Sequence, residues 1–141
     1  MSAQPTFELL PVAALRIHEE IGPGELEALI ARIRHDGRID EPILVARGSL
    51  VILNGHHRYA ALQRLGASQV PAWVVNYDTP EIELDRWRPG PPITKAEVIE
   101  RGRTGRPFPP KTTKHRVALE LPHHPTPLAT LMGAEPAGTP R

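Results

Sequence analysis

Leu53-Asn54-Gly55-His56-His57-Arg58-Tyr59-Ala60-Ala61-Leu62 follows directly on the apolar run Leu50-Val51-Ile52-Leu53 and opens a segment of helical character. A strand that ends in glycine and turns into a helix leaves several backbone N–H groups unpaired. With the positive end of the helix dipole, those groups form an anion site. This turn also carries two histidines and an arginine, which can donate to phosphate oxygens. Gly55 permits a positive φ or a close backbone approach that a β-carbon would hinder. The local chemistry points to phosphate, and through it to a nucleotide. The plain alternative is a surface turn with solvated basic side chains, and the turn alone does not separate the two.

Outward from this turn the chain reads as short alternating pieces. Pro42-Ile43-Leu44-Val45-Ala46 and Leu50-Val51-Ile52-Leu53 flank Arg47-Gly48-Ser49 as a hairpin. The helix after Gly55 is expected over about His57 to Leu65, stopping at Gly66. Upstream, Phe7-Glu8-Leu9-Leu10-Pro11-Val12 reads as a strand edged by Pro11. Gly22-Pro23-Gly24 then breaks the chain before a helix with Leu26, Leu29, Ile30 and Ile33 on one face, ended by Asp36-Gly37. Downstream, Val70 to Tyr77 reads as a strand and Glu81 to Arg88 as a short extended piece. Thr94, with Glu97 three residues on, forms a capping box for a helix to about Glu100.

Composition bounds the function classes. With 141 residues the chain suits one α+β domain with a modest core, filled by aliphatic side chains because aromatics are only 4%. Seventeen Lys and Arg nearly balance sixteen Asp and Glu, too even for a protein whose task is to coat nucleic acid. There is no cysteine, so disulfides, thiolate catalysis and cysteine-bound zinc are excluded. No run reaches membrane-span length and no signal pattern opens the sequence, so a cytoplasmic location is the expectation.

Prolines thicken after residue 88, and Pro107-Phe108-Pro109-Pro110 reads as a stiff linker-like run. Residues 1–121 are expected as the domain and 122–141 as a flexible Pro-rich tail. His123-His124, inside that tail, make a poor metal site as a pair alone and read as bystanders.

Four separated pieces form a pattern. They are Arg16-Ile17-His18-Glu19-Glu20, the phosphate turn Leu53 to Tyr59, Trp87, and Pro109-Pro110-Lys111-Thr112-Thr113-Lys114-His115. Together the chain resembles the ParB/sulfiredoxin-like fold, and within it the free L-serine kinases that form O-phospho-L-serine from a nucleoside phosphate. The turn recurs across the fold; the Lys-Thr-Thr-Lys-His run is what resembles the kinases. The fold this implies is a small mixed sheet with helices and a phosphate-binding turn at a helix N-terminus.

The resemblance implies roles for particular residues. Glu19 matches the catalytic glutamate, taking the proton of the serine hydroxyl, and Glu20 is its control. Asn54, Gly55, His56, His57 and Arg58 match the nucleotide phosphate site. Trp87, Lys111, Thr112, Thr113 and His115 match the serine side of the site. Asn54 stands where the family has an aspartate suited to Mg2+, leaving an uncharged ligand that is weak or unused. Lys114 replaces a common arginine and loses its bidentate fork. The implied reaction moves a phosphoryl group from ATP or ADP to free L-serine or a close hydroxy amino acid, with Mg2+. The alternative is a ParB-like nucleotide-binding module with a regulatory or DNA-associated role and no kinase activity. Against it stand the near-neutral charge and the lack of a helix-turn-helix after the phosphate helix. A sulfiredoxin-like reductase needs a reactive cysteine and is closed.

Overall fold

The structure, a computed structural model, describes residues 5–22 and 24–132. Its frame is a four-stranded mixed sheet in the order β1-β5-β3-β4. Strand β1 (Thr6–Pro11) runs antiparallel to β5 (Gln69–Val75), with Leu10 opposite Val70. Strand β3 (Ile43–Ala46) lies parallel to β5 and antiparallel to β4 (Ile52–Asn54). Pairing of β3 with β5 begins at Ala72, one residue beyond Pro71, so the residue lacking an N–H stands outside that ladder.

Because side chains alternate along a strand, the sheet builds two apolar clusters, one on each face. Ile43, Val45, Ile52, Val70, Ala72 and Val74 pack on one face beneath α1 (Leu26–Asp36) and α2 (His56–Arg64). Leu44, Ala46, Leu53 and Val75 pack on the other with Val98 of α3 (Lys95–Thr104). On that second side lies the antiparallel pair of β6 (Ile82–Arg86) and β7 (Thr113–Val117). Helix α1 buries Ile30 and Ile33 and ends at Gly37, whose φ of 71° lets its N–H reach Ile33 O. In α3 the Thr94 side chain accepts from the Glu97 N–H as the capping box requires, but the helix runs to Thr104, a turn beyond the expected end. Val98 on the second core and Gly105 at the C-cap (φ 69°) account for the extra turn.

Two expectations for the C-terminal third are corrected. Pro107 to Pro110 is not a free linker: Phe108 is buried, and its backbone joins His18 O and the Glu20 N–H at 2.7 and 2.8 Å. Residues 122–132, expected within a flexible tail, form β8 (Thr126–Pro127) and α4 (Leu128–Leu131). Strand β8 pairs with β2 (Arg38–Ile39), and Leu131 is fully buried in the first core. His124 stacks on Phe7 with ring centroids 3.5 Å apart. The β2–β8 pairing, the buried Leu131 and the contacts of His124 with Phe7 and Trp73 anchor this stretch, a signal too sparse for periodicity to detect. Residues 133–141 lie outside the described residues. Among the described residues no helix is long and apolar enough to cross a membrane.

Candidate active site

At the end of β4 the chain turns through Gly55, which has φ 101° and stands as the N-cap of α2 without a side-chain cap. A β-carbon there would lie 2.6 Å from Ile43 Cγ2, so glycine is needed both for the backbone angle and for packing on β3. The unpaired N–H groups of the first turn of α2 open into a cleft of about 810 Å3. Asn54, Gly55, His56, His57 and Arg58 line it together with Glu19, Trp87, Lys111, Thr113 and His115. Residues at opposite ends of the chain meet here because the His18–Glu20 segment pairs with Phe108, which delivers Lys111 and Thr113 over Glu19.

Glu19 is held at both oxygens. Oε1 accepts from the Thr113 N–H at 2.8 Å and from its hydroxyl at 2.7 Å, and Oε2 accepts from the Lys111 N–H at 3.0 Å. Lys111 adopts φ 58°, a left-handed backbone rare outside glycine, beside the carboxylate its N–H meets. These contacts orient a carboxylate that can accept a proton from a hydroxyl.

The histidines behave differently from free cations. His56 Nε2 accepts from the His18 backbone N–H at 3.3 Å, which leaves Nδ1–H as its donor when neutral. Burial first, then the neighbouring His18, His115 and His57, hold His56 well below the usual imidazole range. His115 is drawn down to about 3 by burial, with His18 and Lys95 adding to the effect, and its Nε2 lies 2.7 Å from the Tyr77 hydroxyl. His57 Nε2 sits 3.9 Å from Glu25 Oε1. Arg58 spends Nη1 on the carbonyls of Glu41 and Pro42 at 3.2 and 3.0 Å, fixing the guanidinium to the start of β3.

Trp87 is 57% exposed at the rim, with Lys114 Nζ 4.6 Å from its ring centre, so it is a platform and not part of the core. Two expected substrate contacts are redirected. The Thr112 hydroxyl donates to Pro109 O at 2.6 Å, and Thr112 lines a separate, smaller pocket. The Thr113 hydroxyl is engaged by Glu19 and by His18 Nε2 at 2.8 Å. Sequence reasoning assigned no role to His18, and adjacency to Glu19 was the sole signal available for it. For Mg2+ the donor set does not make a protein cage. Asn54 brings one neutral oxygen, and no group of three His, Cys, Asp or Glu side chains able to hold a metal occurs among the described residues.

The sequence profile of the ParB N-terminal domain matches residues 6–84. An ATP-dependent L-serine kinase from Staphylothermus marinus is 39% identical over 85 residues, covering 57% of this chain and 34% of the relative. The ADP-dependent L-serine kinase SerK from Thermococcus kodakarensis is 33% identical over 99 residues, covering 67% and 41%. The chain thus spans about a third of the length of the first of these curated relatives. A solved structure of a free serine kinase in complex with AMP superposes with a TM-score of 0.78 at 18% identity, over 93% of this chain and 95% of that one. That likeness carries the fold alone. With more than half of its length matched by the profile, the chain belongs to the ParB N-terminal domain family.

Proposed function

We propose that this protein transfers a phosphoryl group from ATP or ADP to the hydroxyl of free L-serine, giving O-phospho-L-serine. One observation carries the reading. Glu19 and the Lys111–His115 run, about 90 residues apart in sequence, meet across one cleft from an uncapped helix N-terminus. The start of α2 would receive the donor phosphates on backbone N–H groups, with His57 and the Nδ1–H of His56 as further donors. Glu19 would take the hydroxyl proton as the serine oxygen attacks phosphorus, and Trp87 and Lys111 would bound the amino-acid side. Magnesium would arrive on the nucleotide phosphates with its own waters. A cytoplasmic setting, where nucleotide donors are held, belongs to the same reading. The names of two relatives similar to this chain in sequence support it.

The test incubates the protein with ATP or ADP, magnesium and each hydroxy amino acid, and weighs the products. Phosphoserine formed only with serine is expected. Nucleotide binding by calorimetry without any phosphorylated amino acid would leave the regulatory ParB-like module as the reading.

A further inference from the structure

His18 has no solvent exposure, yet both its ring nitrogens face oxygen. Nδ1 lies 2.7 Å from the Ile52 carbonyl oxygen and Nε2 lies 2.8 Å from Thr113 Oγ1. That same Thr113 oxygen lies 2.7 Å from Glu19 Oε1. The three contacts in this chain require three hydrogens. A neutral imidazole brings one, a threonine hydroxyl brings one, and an ionised carboxylate brings none. Ile52 O can only accept, so the shortfall cannot be met from that end. Without a further proton, two lone pairs would face each other inside the protein, where an unmade hydrogen bond costs its full desolvation penalty.

We propose that Glu19, Thr113 and His18 hold one additional shared proton, and that His18 is the positioning residue at the buried end of this chain. In one arrangement His18 is doubly protonated, donating to Ile52 O and Thr113 Oγ1, while Thr113 donates to an ionised Glu19. In the other, Glu19 Oε1–H donates to Thr113, which donates to Nε2 of a neutral His18. Moving two hydrogens by one contact each interconverts them. Burial disfavours the imidazolium and draws His18 down, while the Ile52 carbonyl and Glu19 favour it. That balance decides where the proton sits and leaves the count of hydrogens untouched.

The other titratable groups facing His18 are His56 at the start of α2, with its ring centre 4.8 Å away, and His115 on β7, 5.6 Å away. Tyr77 lies behind His115, and Lys95 of α3 bonds the Tyr77 carbonyl. Both histidines are drawn down further than His18, and His56 Nε2 already accepts from the His18 backbone N–H.

The consequence for transfer rests on the kinase reading. As the serine oxygen bonds to phosphorus and the bond to the nucleotide's leaving oxygen breaks, the hydroxyl proton goes to Glu19 Oε2. From either arrangement the result is the same: Oε2–H, the Thr113 hydroxyl donating to Oε1, and a doubly protonated His18. Every contact keeps its hydrogen before and after the step.

The test needs no substrate, so it decides the shared proton independently of the activity assay. Side-chain nitrogen NMR of the intact chain at neutral pH, with His18 assigned through His18→Gln, reads its protonation; carboxyl carbon NMR, assigned through Glu19→Gln, reads Glu19. Two results support the proposal: His18 protonated on both nitrogens, or neutral His18 with a protonated Glu19. In Glu19→Gln either orientation of the amide sets its NH2 against the backbone N–H of Thr113 or of Lys111, so that variant serves to assign the Glu19 resonance and the unmodified protein gives the deciding spectrum. A neutral His18 of one tautomer beside an ionised Glu19 in the unmodified protein would overturn it, and that spectrum decides even if a variant fails to fold.

Discussion

Replacing Gly55 by alanine tests whether the turn between β4 and α2 is locked by its contact with β3. Two penalties apply. The backbone at φ 101° lies in the left-handed half of the map, which costs a residue with a β-carbon about 1–2 kcal/mol. The new methyl would stand 2.6 Å from Ile43 Cγ2 and 2.9 Å from Ile43 Cβ, on a side chain with no exposure and little room to yield. Forcing a methyl into such packing costs about 1–3 kcal/mol. The sum, about 2–5 kcal/mol, is a large part of the ~5–15 kcal/mol that holds a domain of this kind together. Gly37→Ala is the matched comparison: φ is 71°, but nothing lies within 4 Å of the added carbon, so only the backbone penalty applies. Urea unfolding monitored by circular dichroism reads both. With a slope of about 1–3 kcal/mol per M, the Gly55→Ala midpoint should fall by about 1 M or more, and clearly further than that of Gly37→Ala. Equal losses in the two variants would refute the idea that packing on Ile43 fixes the turn.

Glu19→Gln should lower the turnover of serine phosphorylation by about 10²–10⁴-fold with little change in nucleotide affinity, while Glu20→Gln stays within a few fold; steady-state kinetics with calorimetry separate the two effects. Leu131→Ala should cost about 2–5 kcal/mol in the same urea assay, since its side chain is fully buried beyond the point where a tail was expected. Acid should destabilise the protein through His115. Its folded pKa of about 3 lies below the ordinary 6.5, so the unfolded chain binds more protons between those values and stability falls as pH drops through that window. A His115→Gln variant should lose stability less steeply over the same range of melts.

The local elements were legible because local rules set them. Glycine at residue 37 stops a helix that already shows its apolar face, Thr94 and Glu97 start another, and Gly55 marks where strand gives way to helix. The near-continuous apolar runs Ile43 to Ala46 and Val70 to Val75 read as strands, and the sheet buries them as one cluster on each face. Tertiary structure alone decided the rest, because those facts depend on what a long chain brings together. The bond of Thr113 to His18 spans 95 residues and no spacing rule anticipates it. The same holds for Phe108, which turns a proline-rich run into a clamp across His18 and Glu20, and for Leu131, which draws a presumed tail into the core. Residue types told which groups could bind phosphate or accept a proton. Burial and partners, which exist only in the folded chain, made His56 a neutral donor, tied Arg58 to β3 and committed the Thr113 hydroxyl to Glu19.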